Sequence, residues 1–164
     1  MLIGVANPWS ERKGLKDYIT LSKLVPENVL IVLVGLNEEQ RRGLPKNIIG
    51  LGVTQNVSEL VMLYSMADIV LNLSYAETFG LTTVEGLACG TPSIVYNATA
   101  SPELVTPETG IVVAPGDISG LAKAVDQLLS KEKPINACRK HAIDTFNKEN
   151  RYQEYLSLYE RLLD

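Results

Sequence analysis

Short apolar runs that alternate with amphipathic segments are the feature that most constrains this chain. The run at 29–34 contains only Val, Leu and Ile, so it predicts a strand that is buried on both faces. Five further predicted strands lie at 2–6, 47–52, 69–71, 93–96 and 110–113. The segments between them carry apolar residues at helical spacing, and strands that alternate with helices form parallel sheets. The sequence therefore predicts an α/β fold with a doubly wound, mostly parallel sheet and helices on both faces.

The loops that follow the predicted strands indicate where a ligand would bind. In a doubly wound sheet these loops open at the carboxyl edge of the strands, and ligands bind there. In this chain the loops are 7–14, 35–38, 53–57, 74–80 and 97–103. We expect the functional residues among them.

Composition limits the class of protein. The chain has 164 residues, enough for one domain with a substantial core. Its formal net charge is −4 and it has no basic block, which argues against nucleic acid as a partner. No apolar run approaches the roughly 18 residues of a membrane span. Cys89 and Cys138 lack metal-ligand spacing, so we expect reduced thiols, no metal site and a cytoplasmic protein.

The polar stretch at 74–92 contains the most specific chemistry. Apolar residues at helical spacing predict a short helix that begins near Gly80 and ends near Gly90. The backbone N–H groups of Gly80, Leu81 and Thr82 have no partner inside such a helix. Together with the helix dipole, they predict a binding site for an anion such as phosphate.

Two carboxylates flank this predicted anion site. Glu77 precedes it, and Glu85 lies one turn inside the helix. A carboxylate accepts hydrogen bonds and therefore suits neighbouring sugar hydroxyl groups. An anion site between two such groups indicates a nucleotide sugar rather than a bare nucleotide. The alternative is structural, because the dipole alone favours glutamate in a first helical turn.

The same stretch matches a known signature. Seven residues separate Glu77 from Glu85, Phe-Gly-Leu stands between them at 79–81, and Ala-Cys-Gly-Thr-Pro follows at 88–92. This pattern resembles the retaining glycosyltransferases of family 4, and Lys13-Gly14 resembles a further element of that family. The resemblance covers essentially the whole chain, but only the second, C-terminal domain of the family's two-domain GT-B architecture. It implies a Rossmann-like donor-binding domain over 1–164 without the N-terminal acceptor domain. The start of the chain directly on a predicted core strand agrees with this expectation.

The resemblance implies a role for each matched residue. Glu77 and Lys13 are the expected catalytic residues, and Lys13 is expected to neutralise the donor diphosphate. Glu77 is expected to position hydroxyl groups of the donor sugar rather than to act as a nucleophile. The other expected donor contacts are the backbone of Phe79 and Gly80 to the sugar, the amides of Leu81 and Thr82 to the phosphates, Glu85 to the ribose, and Val53 to the base.

The chain departs from the family pattern in two places. Asn7 stands where the family usually has an arginine, so Arg12 is the candidate replacement and a further expected donor contact. The segment 97–100 stands where the family often has Gly-Gly, and the contacts there are left open.

The function implied by the resemblance is transfer of a hexosyl group from a UDP- or GDP-sugar to a glycan or lipid-linked acceptor. The transfer would retain anomeric configuration and need neither metal nor cofactor, as in polysaccharide biosynthesis. We expect the domain alone to bind nucleotide without turnover, and to meet a membrane only through the full-length enzyme. Two alternatives stay open: a non-catalytic α/β interaction or regulatory module, and an epimerase- or phosphorylase-like domain on the same architecture. The sequence leaves open the base, the sugar, the acceptor and the oligomeric state, although the tyrosine-rich segment 150–163 offers a candidate dimer surface.

Overall fold

Residues 1–163, which the computed structural model describes, form one six-stranded parallel sheet with helices on both faces. The strands are β1 (Leu2–Val5), β2 (Ile31–Val34), β3 (Ile48–Leu51), β4 (Ile69–Asn72), β5 (Ser93–Tyr96) and β6 (Gly110–Val113). Their order across the sheet is β3-β2-β1-β4-β5-β6. The predicted doubly wound sheet is confirmed, and β6 lies at an edge.

Strand β1 lies in the middle of the sheet, between β2 and β4. Leu2 is opposite Ile31 on one side and opposite Ile69 on the other. The chain winds outward from β1 to β3 and then returns to begin a second half at β4. The winding direction therefore changes between β1 and β4. The loops after these two strands border a crevice at the carboxyl edge, which is where open α/β sheets bind ligands.

The strands are connected and followed by helices. The α-helices of the described residues are α1 (Leu15–Leu21), α2 (Glu38–Arg41), α3 (Val57–Met66), α4 (Leu81–Ala88), α5 (Ile118–Leu129), α6 (Ile135–Phe146) and α7 (Lys148–Leu163). Short 3₁₀ helices at Glu11–Lys13 and Ser101–Leu104 lie in the loops after β1 and β5. Within residues 1–163 no helix has the length and apolar character that crossing a membrane requires.

The core has two layers, because alternate residues of a strand point to opposite faces of the sheet. Leu2 and Leu33 pack in one cluster with buried side chains of α1 and α5. Ile3 and Val70 pack in a second cluster, which includes Tyr64 of α3. Helix α6 packs outside α4, where a small separate cluster joins the two helices. The continuous apolar runs of the sequence are thus explained by burial of both faces.

The beginning of α3 differs from the sequence prediction. The pattern predicts a helix over 58–66 with Ser58 as its cap, but α3 begins one residue earlier and Asn56 caps it. The backbone of Asn56 is extended, and its Oδ1 accepts a hydrogen bond of 2.9 Å from the N–H of Glu59. Asn and Ser are comparable cap residues, so the cap falls on the residue whose backbone is extended.

Helix α7 stands apart from the two packed layers. None of its described side chains is buried. Tyr152, Tyr155, Leu156 and Tyr159 are all exposed. The predicted tyrosine-rich helix is therefore present, and its role as a dimer surface stays a prediction.

Candidate functional site

The loops after β1 and β4 meet backbone to backbone at the crevice. The N–H of Tyr75 donates to the carbonyl oxygen of Arg12 at 2.8 Å. Gly14 has a left-handed backbone with φ 72°, and a Cβ there would lie 2.2 Å from the carbonyl oxygen of Leu73. That distance leaves no room for a side chain. Glycine at this position therefore allows the two loops to touch.

This loop contact brings Lys13 and Glu77 together. Lys13 Nζ lies 2.5 Å from Glu77 Oε1. The side chains are only 21% and 11% exposed, respectively. The two residues that sequence reasoning assigns to catalysis are therefore a partly buried ion pair, although 64 positions separate them in the chain.

The N-terminus of α4 presents backbone donors at the same edge. Gly80 caps the helix in a left-handed conformation, φ 99°, without a side-chain hydrogen bond. The N–H groups of Gly80, Leu81 and Thr82 have no acceptor within residues 1–163. This left-handed φ strains any other residue, so the turn favours glycine; a Cβ there would also stand 2.7 Å from Leu104 Cδ1. The arrangement can bind an anion, because unpaired N–H groups and the helix dipole point in one direction.

Glu85 contacts α3 rather than Lys13 or Glu77. Its Oε2 accepts a hydrogen bond of 3.0 Å from the hydroxyl of Tyr64. Burial, followed by the charge of the Glu85 carboxylate, raises the pKa of Tyr64, so the phenol stays a donor. Beside Tyr64 and Glu85, a mostly apolar cavity of about 220 Å³ lies between α3 and α4. Its lining residues are Val57, Leu60, Val61, Tyr64, Glu85, Ala88 and Cys89.

Three residues that are predicted to contact the donor are exposed. Arg12 is exposed and forms no salt bridge in the described part of the chain; its carbonyl, rather than its guanidinium, makes the contact to the neighbouring loop. Val53 is 63% exposed and lies two residues after the end of β3. The ring of Phe79 packs edge-on against Phe146, at the end of α6, with 5.8 Å between ring centroids. No part of the structure assigns a ligand role to these residues, so the roles stay predictions.

Sequence reasoning missed a carboxylate that holds the loop after β4. Asp17 Oδ2 accepts hydrogen bonds from Tyr75 at 2.8 Å and from Tyr96 at 2.7 Å. The two phenol rings also pack edge-on against each other. Asp17 lies in the first turn of α1, so this contact ties α1 to the ends of β4 and β5.

Sequence reasoning also missed Thr99, in the loop after β5. Its hydroxyl accepts a hydrogen bond from the N–H of Glu77 and donates one to the carbonyl of Glu77, each 2.8 Å long. The sequence signals for Thr99 were its place in a loop predicted to open at the carboxyl edge and in the segment 97–100, where the resembled family often has Gly-Gly. Among residues 1–163, no group of three or more His, Cys, Asp and Glu side chains is placed to hold a metal ion.

The chain is similar to proteins of one family. Residues 2–145 match the family described as Glycosyl transferases group 1. Over 173 aligned residues the chain is 29% identical to N-acetyl-alpha-D-glucosaminyl L-malate synthase of Bacillus anthracis. That alignment covers 99% of this chain and 44% of the relative, so the chain spans less than half of the relative's length.

Solved structures share the fold. The Anabaena protein Alr3699/HepE, solved in complex with UDP, superposes with a TM-score of 0.83 at 23% identity; the match covers 98% of this chain and 48% of that one. The C-terminal domain of a glycosyl transferase group 1 family protein (LpcC) from Francisella tularensis superposes with a TM-score of 0.75 at 23% identity. The latter match covers 90% of this chain and 86% of that domain.

Proposed function

Because the chain belongs to the Glycosyl transferases group 1 family, we propose that it is the C-terminal, donor-binding domain of a retaining glycosyltransferase that needs no metal. The observation that carries this proposal is the row of N–H groups at Gly80, Leu81 and Thr82, which have no acceptor in residues 1–163. The row begins three residues after Glu77, the partner of Lys13. Backbone donors and a cation at one edge of the sheet suit the diphosphate of a nucleotide sugar.

The Lys13–Glu77 pair gives each group a defined position before it meets the donor. On binding, the ammonium of Lys13 turns toward the diphosphate, whose charge exceeds that of a single carboxylate. The Glu77 carboxylate is then available to accept hydrogen bonds from hydroxyl groups of the sugar. Glu85, whose second oxygen is not engaged by Tyr64, accepts the ribose hydroxyls.

The reaction needs stabilisation of charge more than it needs a nucleophile. When the bond between sugar and diphosphate breaks, negative charge grows on the departing phosphate. Fixed N–H dipoles and the Lys13 ammonium stabilise that charge without reorganising. Glu77 fixes the sugar in place for the acceptor. We therefore assign Glu77 a positioning role and Lys13 the stabilisation of the leaving group.

The comparisons support the class of ligand and the division into domains. The Anabaena neighbour was solved in complex with UDP, so UDP is the first nucleotide to test. The Francisella neighbour is a C-terminal domain of similar extent, which supports the proposal that this chain is a C-terminal domain. We propose that the acceptor site lies on a separate N-terminal domain. We propose a hexosyl donor and a glycan or lipid-linked acceptor. We expect a cytoplasmic location, since Cys89 and Cys138 are free thiols.

Nucleotide titration followed by thermal unfolding tests the proposal. UDP, GDP and ADP are added separately, and the melting temperature is recorded. At a concentration of 100 times Kd, a ligand adds about 2.7 kcal/mol to the free energy of unfolding. For a domain of this size that corresponds to roughly 5–10 °C. We expect one nucleotide diphosphate to raise the melting temperature and the Lys13→Ala variant to respond much less.

Lys16 offers a matched control. It lies three residues from Lys13, is 83% exposed and pairs only with Glu11 in the described chain. Lys16→Ala should therefore keep the full nucleotide response. A wild-type protein that responds to none of the three nucleotides would refute donor binding and favour the interaction-module alternative.

A further inference from the structure

Thr99 has a backbone conformation that threonine rarely adopts. Its φ is 47°, and among residues 1–163 it is the only non-glycine residue with a positive φ. A β-branched side chain disfavours this region because it crowds the neighbouring backbone. Such conformations cluster at functional sites and persist only where surrounding contacts hold them.

Both hydrogen bonds of the Thr99 hydroxyl go to one residue of the proposed donor site, Glu77. The hydroxyl accepts from the N–H of Glu77 and donates to its carbonyl, both at 2.8 Å. These two bonds fix the peptide groups on either side of the Glu77 Cα. They therefore restrict where its carboxylate can stand. The segment 97–100 is also where the family often has Gly-Gly, and a glycine offers neither bond.

The phosphate end of the site has a separate anchor. Asn72 Nδ2 donates to Thr83 Oγ1 at 3.1 Å, and both residues are buried. Together with the close packing of Gly80 against Leu104, this bond fixes the start of α4 without Thr99. Loss of the Thr99 hydroxyl should therefore displace Glu77 and leave the N–H row in place.

We propose that Thr99 is a positioning residue that fixes the main chain of Glu77, and through it the hold on the sugar half of the donor. This inference rests on the proposed function. The inference distinguishes two affinities. Thr99 does not determine the affinity for a nucleoside diphosphate, but it does determine the additional affinity that the sugar supplies.

Three substitutions separate the hydroxyl from the backbone strain. Thr99→Ser keeps the hydroxyl, Thr99→Val keeps the shape without the hydroxyl, and Thr99→Gly removes both the strain and the hydroxyl. Thr78→Val is the matched control, because Thr78 is an exposed threonine of the neighbouring loop whose hydroxyl has no hydrogen bond within the described residues.

The first measurement uses no nucleotide. Hydrogen exchange of the Glu77 amide, followed by NMR, should be slow in the wild type and in Thr99→Ser, because the N–H is bonded to the hydroxyl. It should become faster in Thr99→Val and Thr99→Gly. Unchanged exchange in both variants would overturn the proposal whether or not the domain binds nucleotides.

The second measurement compares the Kd of UDP with that of UDP-glucose and UDP-N-acetylglucosamine, or of GDP with that of GDP-mannose if GDP is the base preferred. Thr99→Val and Thr99→Gly should bind the best sugar nucleotide about fivefold to tenfold more weakly, the loss expected for one or two hydrogen bonds. Their Kd for the free diphosphate should stay within about twofold, and Thr99→Ser should keep the wild-type Kd for both ligands. Thr99→Gly should show its weaker binding of the sugar nucleotide without loss of melting temperature, which a purely structural role would not allow.

The two proposals fail differently. Binding of UDP or GDP by the wild type, with an equal sugar-dependent gain in Thr99→Val, would overturn the role of Thr99 and leave the proposed function standing. A wild type that binds sugar nucleotides no more tightly than the free diphosphates would also overturn the role of Thr99. A wild type that binds no nucleotide would refute the proposed function itself.

Discussion

The Lys13–Glu77 pair should be measurably coupled, and a double-mutant cycle tests this. Lys13→Met leaves the Glu77 carboxylate, 11% exposed, without its cation. Breaking a fully buried pair costs about 3–5 kcal/mol, whereas an exposed pair contributes about 0–1 kcal/mol. Because this pair is mostly but not fully buried, we expect Lys13→Met to lower the free energy of unfolding by about 2 kcal/mol.

The other two corners of the cycle follow from the same reasoning. Glu77→Gln leaves an ammonium on a flexible stem that can turn to solvent, so its cost should be lower, about 1 kcal/mol. The double variant leaves neither charge unpaired and should also cost about 1 kcal/mol, which gives a coupling energy of about 2 kcal/mol. Urea unfolding of the four proteins, followed by circular dichroism, measures these values.

The exposed pair of Lys16 and Glu11 is the control cycle. It joins the same residue types, at 2.9 Å, with side chains 83% and 89% exposed. Solvent screens such a pair, so its cycle should show no measurable coupling. If the costs of Lys13→Met and Glu77→Gln simply add, the two charges are separated by water in solution and our account of the site is wrong. A saturating nucleotide diphosphate should reduce the coupling, since Lys13 then faces phosphate.

Three further predictions concern the body of the domain. Ellman's reagent should label Cys89, which is partly exposed, and not the buried Cys138 in the folded protein; equal labelling rates would contradict this. Burial raises the pKa of Cys138 from 9.0 to about 11 and also raises the pKa of Tyr18 from 10.0. The unfolded chain therefore loses these protons at a lower pH than the folded chain. The free energy of unfolding, measured with urea, should fall as the pH rises from about 9 toward 11, by up to about 1.4 kcal/mol per pH unit and group. A free energy of unfolding that does not change over this range would refute the raised pKa values. Asp117→Ala removes the side chain that accepts from the N–H of Gly120 at the start of α5 and should cost about 1 kcal/mol, whereas Ser119→Ala should not.

The fold was predictable because it depends on local pattern. Runs such as the one at 29–34 are continuous because their strands are buried on both faces, and this pattern is visible without any partner. Local pattern predicted Ser58 as the cap of α3, and this prediction was wrong because Asn56 caps the helix. Both residue types make good caps, and the choice depended on which backbone is extended.

The site was predictable only in part, because its contacts join distant residues. The family resemblance implied that Lys13 and Glu77 belong to one site, but it did not predict that they form an ion pair. The bonds from Tyr75 and Tyr96 to Asp17 span 58 and 79 positions. Thr99 bonds to Glu77 because the loops after β4 and β5 lie next to each other. No periodicity encodes such contacts, since they depend on the paths of loops that have no repeating pattern.

The central position of β1 has a consequence for how the site comes into being. Pairing Leu2 with Ile69 closes a long loop of chain. The conformational entropy lost in this closure opposes folding until the contacts between the two strands form. Lys13 lies on one side of that closure, and Glu77 and Thr99 lie on the other. Neither half of the polypeptide carries all the residues of the crevice, so the proposed donor recognition requires both halves to be folded together.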